Sequence, residues 1–494
     1  MTSFICRVRG ARPLRRCAAP WPWLTAPLGL SLWSAAAVAE PPATPTAPGG
    51  PEPAPAAPAP GAVAPPTEAA PSAEAAPENA AERQALEAEF AAALEAPPAP
   101  APAPGPAPAA SPSPLRLIDI AFDVVGAAGG STASEADMRA LEGGGHDPKN
   151  RGFTLQNVEL TLAGAVDPYV RGDAHIVLLI DPAGETVVEL EEAYLSTLDM
   201  PFHLELEAGQ FFTEFGRLNP THPHAWDFVD QPVVSSRMFG PDGLRSPGVQ
   251  LSWLAPLPFF LELVLSAQNA QGETATSFRS VPGETFAGRT LAEREMRGVE
   301  DLLYLARLRT SLDLTEDVTV VGGASALFGP NASAAEARTR IVGADLYAKW
   351  RPLANDHGWP FVAWQTELMW RAYEAGQVLG EVGAVEPATT LDDMGFYTQL
   401  LWGFARPWVG GVRVEHASGE AAAFPLADGG YDTSIDPLRD RRERYSAVLS
   451  YYPSEFSKLR LQYNYDRAQF SSEPAHSAFL QFEILYGAHG AHAF

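Results

Sequence analysis

Cysteine is nearly absent from this 494-residue sequence. Cys6 and Cys17 are the only two, and both lie in an arginine-rich amino-terminal stretch. Without them the rest of the chain can hold no disulfide framework, thiol catalyst or cysteine-based metal site. Basic residues are also scarce, 34 Lys and Arg against 60 Asp and Glu, which argues against a nucleic-acid partner, since that needs a basic stripe. Beyond the first forty residues no apolar run is long enough for a membrane-spanning helix. A nucleophile elbow and a persuasive Ser-His-acid set are missing too, so the chain does not read as an enzyme.

What is present is organised in three blocks. Arg7, Arg9, Arg12, Arg15 and Arg16 precede a moderately apolar stretch, and Ala37-Val38-Ala39 forms a small-residue cleavage site. Residues 1–39 therefore read as a signal peptide. A retained membrane helix is the weaker reading, because Pro20, Pro22 and Pro27 interrupt the apolar run. Residues 40–114 are Pro/Ala-rich and cannot bury enough apolar surface to fold. Extended like polyproline, at ~3.1 Å per residue, this linker spans on the order of 200 Å. Its proline-free part, 79–96, places Leu86, Phe90 and Leu94 at helical spacing. That pattern fits a short frayed helix, or a small coiled coil that trimerises the chain or docks on a periplasmic partner.

From Leu115 onward the pattern is alternation. Tyr445, Ala447, Leu449 and Tyr451 share one face of a strand; in the next, Leu459, Leu461, Tyr463 and Tyr465 oppose Lys458, Arg460, Gln462, Asn464 and Asp466. Sixteen segments of strand length follow this rule over 115–494. The connections after even-numbered segments are short turns such as Asp167-Pro168, Thr315-Glu316-Asp317 and Arg406-Pro407. Those after odd-numbered segments are mostly long and polar, at 130–151, 217–247, 272–302, 375–391 and 419–442. Such sidedness, with an even count, predicts an all-β fold, a transmembrane antiparallel β-barrel of about 16 strands in a bacterial outer membrane, with both termini periplasmic. Its partners are then the lipid bilayer and the barrel assembly machinery. A barrel of this size is expected to hold a water-filled lumen rather than a packed core.

Alternation also assigns faces. Val342, Ala344, Leu346, Ala348 and Trp350 on one strand, and Val362, Trp364, Thr366, Leu368 and Trp370 on the next, are expected to face lipid. Trp359, Trp402, Trp408, Tyr451 and Tyr452 are further candidates for the interfacial aromatic girdles. The expected pore lining comprises Arg307, Arg309, Asp345, Lys349, Glu367, Arg371, Arg413, Glu415 and Arg460, with Lys458, His203, Glu205 and Glu207 beside them. Both signs of charge are represented, as a general hydrophilic channel requires. Removing the five arginines of the signal moves the net charge from −26 to −31. Setting aside the nine glutamates and one arginine of the linker leaves 51 acidic against 28 basic residues in the barrel. That balance favours cations at the mouth.

The longest external connection follows the fifth strand, at 217–247, and is rich in proline and aromatic residues. It is expected to fold inward as a constriction, carrying Arg217, Asp227, Asp230, Arg237, Asp242 and Arg245. His222 and His224, with Asp227 and Asp230, supply imidazole and carboxylate donors that suit a divalent ion such as zinc. The alternative is that these histidines pack and hydrogen-bond within the loop. A second histidine pair, His489 and His492, lies at the carboxy-terminus, on the other side of the membrane in this topology. No cofactor is required by the pattern; zinc is the one candidate.

Glu192-Ala193-Tyr194-Leu195 and Gly209-Gln210-Phe211-Phe212-Thr213-Glu214-Phe215-Gly216 resemble the strand-four to strand-five region of the phosphate-selective porins O and P. Lys349-Trp350-Arg351-Pro352-Leu353, Trp364-Gln365-Thr366-Glu367 and the Gly-Ala-His-Gly-Ala-His tail resemble a bacterial group known as zinc-regulated outer-membrane receptors. The resemblance implies a sixteen-stranded porin for small hydrophilic solutes or ions, with a homotrimer as one option. A phosphate-selective path would carry an excess of Arg and Lys, which this acidic barrel does not, and the linker leaves no room for a TonB-type plug. The alternatives are a zinc-related binding or uptake protein without such a plug, and a barrel anchor tethered to the cell wall.

Overall fold

The computed structural model describes residues 118–487, apart from 142, 149, 182–183, 380–384, 387, 420–423, 426–430 and 433–438. The expected signal peptide, the linker with its short helix, and the His489/His492 pair lie outside the described residues.

Sixteen antiparallel strands close on themselves in chain order. They are β1 (Asp119–Ser131), β2 (Gly152–Ala165), β3 (Val170–Ile180), β4 (Thr186–Thr197), β5 (Leu204–Phe212), β6 (Arg245–Leu254), β7 (Phe260–Gln268), β8 (Leu303–Thr315), β9 (Val318–Pro330), β10 (Arg338–Trp350), β11 (Phe361–Ala375), β12 (Thr389–Ala405), β13 (Trp408–Gly419), β14 (Arg442–Ser454), β15 (Ser457–Ala468) and β16 (Ala475–Gly487). The seam is the pairing of β1 with β16, in register from Ala121↔Gly487 to Ser131↔Ser477. The start of the first strand and the end of the last are thus neighbours at the end of the barrel that carries the short turns. Closure gives every barrel strand two hydrogen-bonding partners, so the barrel itself has no open edge.

Side chains alternate across the wall as strand geometry dictates. On β15, Leu461 is 54% exposed and points outward, while Arg460 is 1% exposed and points inward. Trp350, Trp364, Trp370, Trp402 and Trp408 stand among the exposed apolar residues of the outer face. Trp408 and Tyr451 lie together near the turn end, with ring centroids 4.6 Å apart. Two expected girdle residues turn the other way. Trp359 and Tyr452 pack against a buried cluster of Phe228, Ala363, Leu401, Val409 and Val448 inside the barrel. No helix among the described residues is long and apolar enough to cross a membrane.

The interior departs from the water-filled expectation. The 213–244 connection between β5 and β6 enters the barrel and carries a short helix. With α1 (Glu135–Leu141) in the first long connection, this helix is α2 (Val233–Phe239). Val234, Met238 and Phe239 of α2 meet Phe278 from the β7–β8 connection and inward residues of the wall, Leu303, Leu305, Leu327, Ile341, Met369 and Tyr397. The half of the barrel nearest the long loops is therefore packed. Towards the turns the interior loosens: on β8, Arg307 has 3% of its side chain exposed and Arg309, one step nearer the turns, has 33%.

Candidate functional site

The inward loop is held on every side by charged residues of the wall. At its root, Gly216 has φ of 62°, and a β-carbon there would collide with the Glu367 carboxylate. Glycine satisfies both demands. The Leu218 amide donates to Glu367 Oε1 at 2.8 Å, and Tyr397 Oη donates to the same atom at 2.6 Å. The Arg217 guanidinium stacks over Tyr347, 4.1 Å from the ring centroid.

Further along, the loop crosses to β13–β15. Arg460 donates to the carbonyls of Phe228 (3.1 Å) and Trp226 (2.6 Å), and Lys458 Nζ donates to that of His224 (2.9 Å). Asp230 is enclosed by Arg413, by Arg444 Nη1 at 2.9 Å, and by the amides of Gln462 (2.7 Å) and Asn464 (2.6 Å). Burial alone would raise the Asp230 pKa; the Arg413 and Arg444 charges outweigh it and hold the carboxyl below its ordinary value. At the start of α2 the Val233 amide donates to Glu415 Oε2 at 2.6 Å. Arg371 reaches the Arg237 carbonyl (2.7 Å) and Ser277 Oγ (2.8 Å) while pairing with Asp393 at 2.7 Å.

Of the residues expected to line a pore, Arg307, Asp345, Glu367, Arg371, Arg413, Glu415, Lys458 and Arg460 are buried on the inner wall, most of them engaged with one another or with the loop, while His203 lies exposed in the turn before β5. Arg307 pairs with Asp345 at 2.9 Å, Arg413 with Glu415 at 2.6 Å, and Arg460 with Gln481 Oε1 at 2.7 Å. Arg309, paired with Glu262, and Lys349, whose Nζ is 5.5 Å from the Phe361 ring centroid, keep access to solvent. The residues expected in the constriction are also distributed. Asp227 accepts from Gln399 at 2.8 Å, Arg237 donates to the carbonyls of Arg439 (3.0 Å) and Asp440 (2.7 Å), and Arg245 joins the Asp242 carbonyl to Glu189, both at 2.7 Å.

The histidines of the loop meet a different set of partners from the one expected. His222 and His224 face β2–β4, whereas Asp227 and Asp230 face other parts of the wall and are not near them as partners. Glu159 on β2 is the hub. Its Oε1 lies 2.8 Å from His175 Nδ1 of β3, and its Oε2 lies 3.0 Å from His224 Nδ1 and 3.6 Å from His222 Nδ1. His222 also touches Glu191 Oε2 through Nδ1 at 2.9 Å and Glu192 Oε2 through Nε2 at 2.8 Å. His146, from the first long connection, approaches Glu191 at 3.5 Å. The rings of His175 and His222 are 4.5 Å apart, and those of His222 and His224 5.6 Å. Four of the chain's ten histidines are gathered here. Burial would lower the pKa of His222, but Glu159, Glu191 and Glu192 outweigh it and raise it well above the ordinary imidazole value. His146 is pushed up to about 9: burial opposes the shift, and the Glu191 carboxylate drives it.

Alternation could not have located this cluster. His175 pairs with Glu192, but the next residue, Ile176, pairs with Leu190, so Glu191 is an extra residue in β4. Such a bulge turns two consecutive side chains to the same face, and both Glu191 and Glu192 are buried inside. A second bulge, opposite Val125/Gly126 of β1, does the same for Gln156 and Asn157. Gln156 then donates to the carbonyls of His146 (2.8 Å) and Val229 (3.1 Å), joining the two inward loops.

No protein-family model matches the chain. A protein of Aquifex aeolicus (strain VF5), described only as uncharacterized, is 32% identical over 395 residues, spanning 74% of this chain and 77% of that protein. Similar solved structures include the anion-selective porin from Comamonas acidovorans (8% identity, TM-score 0.43, covering 75% of this chain and 98% of that one). OmpF of Salmonella typhi in complex with daunomycin is similar at 11% identity and TM-score 0.41 (75% and 97% covered). OpdK of Pseudomonas aeruginosa with vanillate is similar at 11% identity and TM-score 0.40 (76% and 100% covered).

Proposed function

We propose that this chain, which belongs to one family with the uncharacterized Aquifex aeolicus protein, is an outer-membrane channel for small hydrophilic solutes or ions, narrowed by its inward loop. The observation that carries this reading is a closed barrel whose outer face exposes Leu, Trp, Phe and Ile on successive strands and whose inner face bears paired charges. An outer surface of that kind is stable against lipid, and an inner one against water and ions. The expected topology, with turns and both termini in the periplasm, agrees with the pairing of Ala121 with Gly487 at the turn end. Insertion by the barrel assembly machinery and homotrimer formation belong to the same proposal. Phosphate selectivity does not, because the guanidinium groups of Arg307, Arg371 and Arg413 are neutralised by Asp345, Asp393 and Glu415.

Liposome swelling with sugars of graded size tests this reading on the full chain. Uptake that falls off with solute size supports a constricted channel; impermeability to the smallest sugars and to salt overturns it. A second reading, a barrel that binds metal, is favoured by one observation: the three imidazoles that converge on Glu159.

A further inference from the structure

The geometry points to a site for one first-row divalent transition ion, formed by Glu159, His175 and His222 with His224 as a fourth donor, that staples the inward loop to the barrel wall. This deepens the metal-binding reading above and is independent of conduction. Donor atoms of Glu159, His175 and His222 all lie within 4.8 Å of one another. Each of the three imidazoles turns Nδ1 towards the Glu159 carboxylate, at 2.8, 3.0 and 3.6 Å. Around a tetrahedral ion with bonds of about 2.0–2.1 Å, neighbouring ligand atoms are about 3.3 Å apart, and the three oxygen–nitrogen separations already lie near that value. Imidazole with carboxylate is a donor set for zinc and its first-row neighbours, not for calcium or magnesium.

The surroundings are those of a metal site as well. Glu192 Oε2 lies 2.8 Å from the other nitrogen of His222 and 3.9 Å from that of His175. A carboxylate behind a ligating imidazole fixes its ring and its tautomer. Asp123, Glu159, Glu191 and Glu192 are all buried in this region. Asp123 accepts no hydrogen bond at either oxygen among the described residues. Phe212 meets His222 edge-on at 5.4 Å and shields one side. Because His222 and His224 belong to the loop while Glu159 and His175 belong to β2 and β3, the ion would bond the loop directly to that part of the wall.

The test uses the folded full chain in detergent and zinc alone as the probe, in competition with a chromophoric chelator. One tight equivalent is expected. His222→Gln and His175→Gln, one from the loop and one from the wall, should each weaken it more than tenfold, and Glu192→Gln roughly 10–100-fold. Heat-modifiable gel migration identifies variants that fail to fold. Should both fail, cobalt absorption of the unaltered protein decides. Bands of a four- or five-coordinate ion support the site; the spectrum of a six-coordinate aqua ion overturns it. Absence of tight zinc binding also overturns it, as does binding that survives in the His175→Gln/His222→Gln double variant or vanishes on replacing only His489 and His492. A barrel that binds zinc but does not conduct supports this site and overturns the channel reading; one that conducts without binding zinc does the reverse.

Discussion

Asp230 and Arg444 stand 214 residues apart in the chain and meet at 2.9 Å inside the barrel, both side chains sealed from solvent. One belongs to the inward loop and the other to β14, so the contact latches the loop to the wall. Replacing Asp230 by Ala leaves Arg413 and Arg444 buried without their shared counter-charge. Arg413 keeps Glu415 and Arg444 keeps Asp466, so the cost is expected below the ~3–5 kcal/mol of a buried pair broken outright. The Asp230→Ala loop is expected to leave the wall, giving larger conductance and new protease cleavage within 217–247. An unchanged conductance and an uncut loop would contradict the latch.

The same contact sets an acid limit. Arg413 and Arg444 hold the Asp230 pKa below that of an unfolded aspartate, which is about 3.9. Stabilisation from a depressed carboxylate is complete above the unfolded value and is lost as pH falls through the folded one. Any rise in conductance that comes from releasing this latch should therefore begin only below about pH 4. Recordings across this range check the sign. A rise confined to pH 5–7 would show that another group holds the loop.

Arg307 and Arg309 are two residues apart on one inward face, yet they are expected to behave differently. The Arg307–Asp345 pair is sealed, with 3% and 4% of the side chains exposed. Arg307→Met alone should be strongly destabilising, whereas Arg307→Met with Asp345→Leu should restore stability at near-constant ion selectivity. Arg309, a third exposed and paired with Glu262, faces the open half. Arg309→Glu should shift the reversal potential in a salt gradient towards cations and leave the unfolding midpoint within the range of surface substitutions. The opposite assignment of effects would mean that the ion path runs past Arg307.

Leu368 is 51% exposed on the outer face of β11, paired with Ala344 and Phe396. If lipid covers this face, Leu368→Arg costs roughly 2–4 kcal/mol near the bilayer midplane. On a water-exposed face it would be within about 0.5 kcal/mol of neutral. Reversible denaturant unfolding from lipid vesicles separates the two.

The strand order and the connections were legible in the sequence because one face of each strand must be apolar and the other polar. From β8 (Leu303–Thr315) to β16 (Ala475–Gly487) that rule locates every strand to within a few residues. What alternation cannot show is where it breaks. Glu191 and Glu192 read as opposite faces until the bulge against His175 turns both inward, so the carboxylate half of the histidine cluster was not visible. Proximity in sequence groups Asp227 with His222 and His224, but a loop that crosses the barrel sends neighbouring residues to different walls. Trp359 and Tyr452 sit at strand ends like girdle residues, yet they cover Phe228. The packed interior is hidden from the sequence for the same reason. Val234, Met238 and Phe239 lie in a connection, where apolar residues carry no periodicity that says what they will meet.

Single-channel recording of the full chain refolded into a planar bilayer, in a salt gradient, reads conduction through the barrel and the hold of its inward loop together. Small, steady steps with cation-leaning reversal are expected in the unaltered protein, and larger steps in Asp230→Ala. A folded barrel that passes no current in either form would contradict the channel reading, leaving a closed barrel whose role is anchoring or binding.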